Sequence, residues 1–254
     1  MTLTDFNVGE LHVRVYPDEA AMGAAAAKDT AQRIIKLLES QDQVNIIFAA
    51  APSQIAFLHA LRATPGIDWT RINAFHMDEY IGLEPTAPQR FGHFLWEHLF
   101  SKVPLGSVHY LRGEAPDIKA ECERYCTLLS RYPVDIVCLG IGENGHLAFN
   151  DPGVADFQDP YSVKVVPLDN VCRQQQVNEG CFDSLEKVPT HAVTLTIPAL
   201  IKAKWIFCIV PFTGKAPAVK QALTGDISER CPASILRKKE KSCLYLCRES
   251  ASLL

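Results

Sequence analysis

The sequence lacks several features that mark specialised classes of protein. Its nine cysteines include no Cys-x-x-Cys pair and are typical of buried, reduced thiols in a cytoplasmic protein. No uncharged apolar run approaches the roughly 18 residues that a membrane-spanning helix requires. The formal net charge of -4 argues against broad nucleic-acid binding, which needs a basic surface. We therefore expect neither a membrane nor a nucleic acid as a partner.

The chain also has little that suggests processing or division into parts. Its first residues, Met-Thr-Leu-Thr-Asp-Phe, contain neither the basic segment nor the apolar stretch of a secretory leader. It shows no internal repeat, low-complexity tract or linker-like segment. With 254 residues, of which 48% are hydrophobic and 21% charged, the chain is long enough to bury a sizeable core. We predict a single domain over residues 1–254.

Short apolar runs alternate with helical patterns along most of the chain. Strands are predicted at residues 12–16, 44–48, 72–75, 108–111, 134–139, 163–166, 205–210 and 242–246. Helices are predicted after Pro17, after Ser53, over residues 118–130 and after Lys215, and Ser53 is the expected N-cap of the second of these helices. Residues 91–100 are expected to form either a lid or a packed helix. This alternation predicts an α/β fold with a mainly parallel sheet flanked by helices on both faces, a Rossmann-like three-layer sandwich.

The stretch from 134 to 152 is the most informative part of the sequence. Its first six residues are mostly apolar and β-branched, which is typical of a strand buried on both faces. Glycines then permit a sharp turn and a close approach to a ligand. The glycines and the polar residues among them are Gly140, Gly142, Asn144, Gly145, His146, Asn150 and Asp151. Ligands bind at the carboxyl ends of strands in open α/β sheets, so this segment predicts one wall of a site.

Three other predicted strands also end in chemically useful groups. Ser53 either only caps the next helix or helps to bind a phosphate at the helix N-terminus. Asp78 and Glu79 directly follow an apolar strand, so at least one carboxylate is expected to face a crevice. Lys215 ends the segment Pro-Phe-Thr-Gly-Lys after another strand. A single glycine-rich junction with one histidine is more often structural, but the four junctions together predict a phosphorylated small molecule that undergoes proton transfer.

Two segments carry a family resemblance. Residues 75–83 are Phe-His-Met-Asp-Glu-Tyr-Ile-Gly-Leu, and residues 139–150 are Leu-Gly-Ile-Gly-Glu-Asn-Gly-His-Leu-Ala-Phe-Asn. They resemble the two signature segments of the glucosamine-6-phosphate deaminases, and the resemblance extends over most of the chain. The related 6-phosphogluconolactonases typically have Asp-Glu-Arg in the first segment and Ala-Ser-Leu-Phe-Pro after the Gly-His of the second. The deaminase branch is therefore the closer match.

The resemblance implies a reaction and residue roles. The reaction is the conversion of an amino-sugar 6-phosphate, glucosamine 6-phosphate above all, to a ketose 6-phosphate and ammonia, with no metal or cofactor. Asp78 is implied to carry a proton from C2 to C1 of the open-chain sugar. His146 is implied to assist opening of the sugar ring, with Asn144 and Asp151 in support. The implied substrate-binding residues are Ala51, Ser53, Glu79, Gly142, Arg173 and Lys215.

The sequence departs from the family pattern at several of these positions. Asp151 stands where the family usually has Glu, and Asn144 stands where many members have Asp. Asn178 stands where an arginine normally helps to hold the phosphate, and Arg173 is the predicted substitute. Residues 154–164 lack the Ser and Arg pattern of the effector-activated members, which argues against the same control here.

Other functions remain open from the sequence alone. The substrate could be the galactosamine 6-phosphate epimer, or the enzyme could be a 6-phosphogluconolactonase. A non-catalytic sugar-phosphate sensor, as in the effector domains of some bacterial repressors, is disfavoured because both Asp78 and His146 are present. The sequence leaves the oligomeric state open, a homo-oligomer included.

Overall fold

The computed structural model describes residues 2–254, and over this range strands and helices alternate along the chain. Within these residues, every helix is too short or too polar to cross a bilayer. All nine cysteines are free thiols. The fold is therefore held by the burial of apolar side chains and by hydrogen bonds rather than by cross-links.

The secondary structure has eleven strands and seven α-helices within the described range. The strands are β1 (Thr4–Val8), β2 (Leu11–Tyr16), β3 (Val44–Phe48), β4 (Ile72–His76), β5 (Asp78–Tyr80), β6 (Ser107–His109), β7 (Ile136–Leu139), β8 (Val163–Pro167), β9 (His191–Leu195), β10 (Trp205–Val210) and β11 (Ser242–Cys247). The helices are α1 (Glu19–Leu38), α2 (Ile55–Ala63), α3 (Phe91–Leu95), α4 (Ile118–Arg131), α5 (Asn170–Asn178), α6 (Ile197–Ile201) and α7 (Ala216–Thr224). A π-helical turn, Trp96–Phe100, extends α3, so residues 91–100 form the packed helix of the two alternatives.

Eight strands form one sheet in the order β1-β2-β11-β10-β7-β3-β4-β6. All neighbouring pairs are parallel except β1 with β2, which is antiparallel. The central strands β3, β4 and β7 are buried along their whole length, as their largely apolar composition predicts. The prediction of a mainly parallel sheet is confirmed.

The sheet separates two apolar cores. Successive residues of a strand face opposite sides of a sheet; in β3, Ile46 and Phe48 enter one core and Ile47 enters the other. Helices α1 and α2 contribute to the first core, and α4, α6 and α7 contribute to the second. The sheet is thus the middle layer of three, as the sequence predicts.

Small residues bring the longest helix, α1, close to α2. Asp18 caps α1 by accepting a backbone N–H of the first turn at 2.7 Å, so the helix begins two residues after Pro17. Gly23 faces α2, and a Cβ added there would stand 2.9 Å from the carbonyl carbon of Ala56. A larger residue at this position would push the two helices apart.

A second sheet, in which β5, β9 and β8 pair antiparallel, is not predicted by the sequence. Strand β5 has only three residues, too few to show an alternating pattern, and a single residue separates it from β4. Asp78 pairs with Thr194 in this sheet. The acidic pair therefore lies on a strand with fixed geometry rather than in a turn. Strand β1 also escapes prediction, because most of its side chains are exposed.

The burial of β3 gives a testable consequence for stability. Ile46 is 0% exposed in the central sheet, whereas Val165 on β8 is 45% exposed. Ile46→Ala leaves a cavity between strands and helices, so we expect the free energy of unfolding to fall by about 2–5 kcal/mol. Val165→Ala, the matched control, should change it by less than about 0.5 kcal/mol. Urea denaturation measures both, and equal losses would contradict the assignment of β3 to the interior.

Candidate active site

The carboxyl ends of the central strands meet at a cleft. Its lining includes residues from all four junctions singled out in the sequence, which follow β3, β4, β7 and β10. The predicted site residues found in this lining are Ala51, Ser53, Asp78, Gly142, His146 and Lys215. The structure thus brings an acidic side chain, an imidazole and an ammonium group from distant parts of the chain to the same space.

His146 is held through its Nδ1 atom. Nδ1 lies 2.8 Å from Asn144 Oδ1 and 3.0 Å from Asp151 Oδ1. Because both neighbours are acceptors, the proton of the neutral ring belongs on Nδ1, which leaves Nε2 free to accept a proton. Asn144 Nδ2 in turn donates to Asp151 Oδ1 at 2.9 Å and to Asp169 Oδ2 at 3.2 Å. Asn144 and Asp151 lie outside the cleft lining and fix the orientation of the ring.

Asp151 reaches the ring although its side chain is one methylene shorter than the family's usual Glu. It is almost completely buried. Burial by itself would raise the pKa of this carboxyl. The hydrogen bond and charge of His146 and the hydrogen bond from Asn144 outweigh burial and hold the pKa below its usual range. Asp151 therefore supplies the negative charge that the amide of Asn144 cannot.

One group of potential metal ligands is found among residues 2–254, and it belongs to this network. The donor atoms of His146, Asp151 and Cys172 lie within 4.8 Å of one another. Burial raises the pKa of the Cys172 thiol well above its usual range, so the thiol keeps its proton. A metal ion would have to displace that proton and the hydrogen bonds of Nδ1. We assign the group to support of the imidazole, and the independence from metal stays a prediction.

The backbone around the imidazole is shaped by close contact. A Cβ on Gly142 would lie 2.1 to 2.3 Å from atoms of the His146 ring, so only glycine allows the ring to take this position. Ala148, also in the lining, has φ 52°, a left-handed conformation that is unfavourable for a residue with a Cβ. The Asn150 side chain donates to two backbone carbonyls at 2.8 Å. Asn150 therefore stabilises the backbone of the loop that carries His146.

Asp78 presents the carboxyl group of the cleft. It is buried, with 6% of its surface exposed. Burial, reinforced by the charge of the neighbouring Glu79, raises its pKa well above the usual range. A proton carrier works best when its pKa is near the working pH. Asp78 therefore takes up a proton more readily than an exposed aspartate does.

The prediction that Glu79 binds substrate is not supported by the geometry. Adjacent residues of a strand face opposite sides, and Asp78 takes the side of the cleft. The Glu79 carboxylate accepts backbone N–H groups of Tyr80, Phe91 and Gly92 at 3.0, 3.1 and 3.0 Å. Burial raises its pKa to about 7 in spite of these bonds. Glu79 therefore holds the first turn of α3.

The groups predicted to hold a phosphate line the same cleft. Ser53 lies in a short 3-10 turn before α2, and its hydroxyl accepts from Gln54 Nε2 at 3.1 Å. Contrary to the prediction, Ser53 does not cap α2. Lys215 ends a similar turn before α7, and its Nζ donates to Glu179 Oε1 at 2.9 Å. Phe212, with φ 73°, turns the chain sharply between β10 and this lysine.

The prediction that Arg173 holds the phosphate is also not supported. Its guanidinium donates to the backbone carbonyls of Leu185 and Val188 at 2.7 and 3.0 Å, and it lies outside the cleft lining. Gln175, on the same helix, does line the cleft. Two residues correspond to about 200° of rotation around a helix, so Arg173 points the other way. It fastens α5 to the segment that follows.

Several residues of the lining are not among the predicted site residues. They are Gln54, Met77, Phe91, Gln175 and Gln176. Gln175 Oε1 accepts the backbone N–H of Glu143 at 3.0 Å, which ties α5 to the glycine-rich loop. The sequence signal that could have identified Gln175 and Gln176 is the run of three glutamines at residues 174–176. This run lies in α5, which is capped by the side chain of Asp169. Buried glutamines in a short capped helix indicate a polar surface that faces an internal space.

Together these residues define what the cleft can do. A carboxyl with a raised pKa and an imidazole with a free Nε2 can move protons at neighbouring atoms of one small molecule. An ammonium group and a hydroxyl can hold an anionic tail. The arrangement suits proton transfer on a phosphorylated substrate, with orientation supplied by the phosphate.

Comparison with known sequences agrees with this geometry. Residues 17–245 match the family model described as glucosamine-6-phosphate isomerases/6-phosphogluconolactonase. The glucosamine-6-phosphate deaminase of Listeria monocytogenes is 35% identical over 229 residues, which cover 90% of this chain and 96% of that protein. The deaminase of Bacillus cereus is 33% identical over 220 residues, which cover 87% of this chain and 82% of that protein.

Comparison with solved structures leads to the same family. A monomeric glucosamine-6-phosphate deaminase matches with a TM-score of 0.86 and 29% identity, over 95% of this chain and 99% of that one. The 6-phosphogluconolactonase of Thermotoga maritima matches with a TM-score of 0.76 and 22% identity, over 93% and 99% of the two chains, which shows a shared fold. The resemblance carried by the two sequence segments is thereby confirmed. The chain belongs to the glucosamine-6-phosphate isomerase/6-phosphogluconolactonase family.

Proposed function

We propose that the protein is an amino-sugar-phosphate deaminase that converts glucosamine 6-phosphate and water to fructose 6-phosphate and ammonia. The observation that carries this proposal is that Asp78 and His146 line one cleft together with Ser53 and Lys215. The names of the relatives at 33 to 35% identity support the choice of substrate.

The reaction begins with opening of the sugar ring. His146 Nε2 accepts the proton of the C1 hydroxyl as the bond between C1 and the ring oxygen breaks. The imidazolium then gives a proton to the oxygen of the sugar ring, so the imidazole of His146 returns to its starting protonation state. The contacts of His146 Nδ1 with Asn144 and Asp151 keep Nε2 available and stabilise the imidazolium that forms during the step.

Asp78 acts on the open-chain sugar. Its carboxylate removes the proton from C2 while the C2 ammonium group of the substrate passes a proton to the C1 oxygen, which gives an enolamine. Asp78 then returns the C2 proton to C1. The resulting iminium at C2 is hydrolysed by water to the ketone, and ammonia leaves. A positioned acid–base group of this kind contributes roughly a hundredfold to ten-thousandfold to the rate.

The phosphate is held away from the reacting carbons. Lys215 provides the charge, and Ser53 and the backbone near Ala51 provide hydrogen-bonding groups. Binding at this remote group fixes C1 and C2 relative to Asp78, which reduces the entropy lost in reaching the transition state.

A side-by-side ammonia assay tests the proposal. Glucosamine 6-phosphate, galactosamine 6-phosphate and 6-phosphogluconolactone are each supplied to the purified protein, and ammonia and acid release are recorded. Rapid ammonia release from glucosamine 6-phosphate supports the proposal. Release from galactosamine 6-phosphate alone would assign that epimer as the substrate instead. Acid release from the lactone without ammonia from either amino sugar would assign the lactonase activity instead.

Removal of the proposed base should separate catalysis from binding. Asp78→Asn cannot take the C2 proton, so we expect kcat for ammonia release to fall by roughly a hundredfold to ten-thousandfold. Binding of sorbitol 6-phosphate, which has the phosphate tail but no carbonyl or amine, should stay nearly unchanged by calorimetry. The exposed Asp183→Asn serves as control and should retain full activity. Near-normal turnover of Asp78→Asn would reject the role.

The pH profile should report the coupling of Asp78 to Glu79. The reaction needs the Asp78 carboxylate, so kcat/KM falls as the pH falls through the raised pKa of Asp78. Glu79→Gln removes a negative charge that raises this pKa, so the acidic limb should move to lower pH. Glu123→Gln, exposed on α4, should leave the limb in place. A limb that moves to higher pH in Glu79→Gln would contradict the assignment of the base.

A further inference from the structure

The lysine assigned to the substrate phosphate is already paired with a carboxylate of the protein. Lys215 Nζ lies 2.9 Å from Glu179 Oε1, and the two side chains are only 4% and 11% exposed. Water and salt screen such a pair far less than a surface pair. Gln175 Nε2 also donates to Glu179 Oε1, at 2.8 Å. In the free protein the ammonium group is therefore neutralised by an internal anion.

Glu179 is held in a contact that can be exchanged. It directly follows α5 and forms its C-cap. Its second oxygen, Oε2, is buried without a hydrogen-bond partner among the described residues. A buried carboxylate oxygen without a donor is unfavourable, so the paired state is less stable than a fully satisfied ion pair. An anion with better hydrogen bonding can replace Glu179.

The cleft is small, and helix α5 forms part of its wall. It offers about 60 Å³, room for a few water molecules. Gln175 and Gln176 of α5 form part of its wall. Glu179 joins the end of α5 to Lys215. Exchange of Glu179 for a phosphate would therefore act on the helix that forms part of the wall of the cleft.

We propose that Glu179 is an internal competitor of the substrate phosphate and determines the affinity and anion selectivity of the site. The proposal rests on the proposed function, because it takes Lys215 as the phosphate ligand. A phosphate monoester brings nearly two negative charges and three terminal acceptor oxygens, so it replaces a single carboxylate. A neutral sugar or a carboxylate monoanion gains too little to do so. The apparent Kd equals the Kd of the open form divided by the fraction of the protein in which the pair is open.

Titration with inorganic phosphate tests the competition directly. Glu179→Gln keeps the shape of the side chain and removes its charge. If the closed pair is populated about ten times more than the open one, the Kd for phosphate should fall about tenfold in this variant. The KM for glucosamine 6-phosphate should fall in parallel, while kcat changes by less than about twofold.

Two further variants make the result specific. Glu186→Gln removes one charge from the exposed segment after α5 and should leave the Kd for phosphate unchanged. Lys215→Met combined with Glu179→Gln should not lower the Kd for phosphate, because the phosphate loses the ammonium group that binds it. Circular dichroism confirms folding, and Glu179→Ala provides the same reading if the glutamine variant does not fold.

The outcomes separate this inference from the proposed function. An unchanged or higher Kd for phosphate in folded Glu179→Gln would overturn the inference, because Glu179 would then orient Lys215 for binding. The phosphate titration needs no turnover. Failure of the wild-type protein to release ammonia would therefore reject the proposed function, while the titration would still decide the role of Glu179.

Discussion

The geometry of the cleft depends on the position of β7 between β3 and β10. These strands are parallel, and the pairing aligns Ile136 of β7 with Ile46 on one side and Trp205 on the other. The alignment places the glycine-rich loop after β7 between the loops that carry Ser53 and Lys215. A slip of one residue would turn every side chain of the strand to the wrong core. The apolar register of the sheet thus sets the distances between the polar groups at its edge.

The small antiparallel sheet supplies a second constraint. Asp78 pairs with Thr194 of β9, and Thr194 Oγ1 accepts the backbone N–H of Phe149 at 3.1 Å. Phe149 lies three residues after His146 on the same loop. One threonine therefore connects the strand of the carboxyl group to the loop of the imidazole. The ring of Phe149 also packs against Tyr80, with centroids 5.3 Å apart, which stiffens this connection.

The sequence predicts the groups at each strand end better than the direction in which each side chain points. The apolar strands and glycines identify the edge of the sheet, and the two motifs identify Asp78 and His146. Glu79 and Arg173 lie outside the cleft lining because neighbours on a strand or helix point in different directions, and a motif position does not reveal which direction faces the cleft.

Long-range pairing is harder still to predict. Lys215 and Glu179 are separated by 36 positions, and neither position carries a local signal for the other. The small antiparallel sheet could not be predicted for a related reason. Its shortest strand, β5, has three residues, and the strand that pairs with it, β9, lies far along the chain. Such contacts follow from the assembled fold, which the local pattern determines only indirectly.

The ionisable groups of the cleft lie against partners inside the protein, and the proposed substrate would act on these contacts. Asp151 faces His146, Glu179 faces Lys215, and burial with the charge of Glu79 raises the pKa of Asp78. In the proposed reaction an amino sugar brings a cationic amine near Asp78, and a nearby positive charge favours the carboxylate. Binding of the substrate would thus lower the pKa of Asp78 and favour the carboxylate that the reaction needs. A neutral lactone brings no such charge, so its binding would leave the pKa of Asp78 raised.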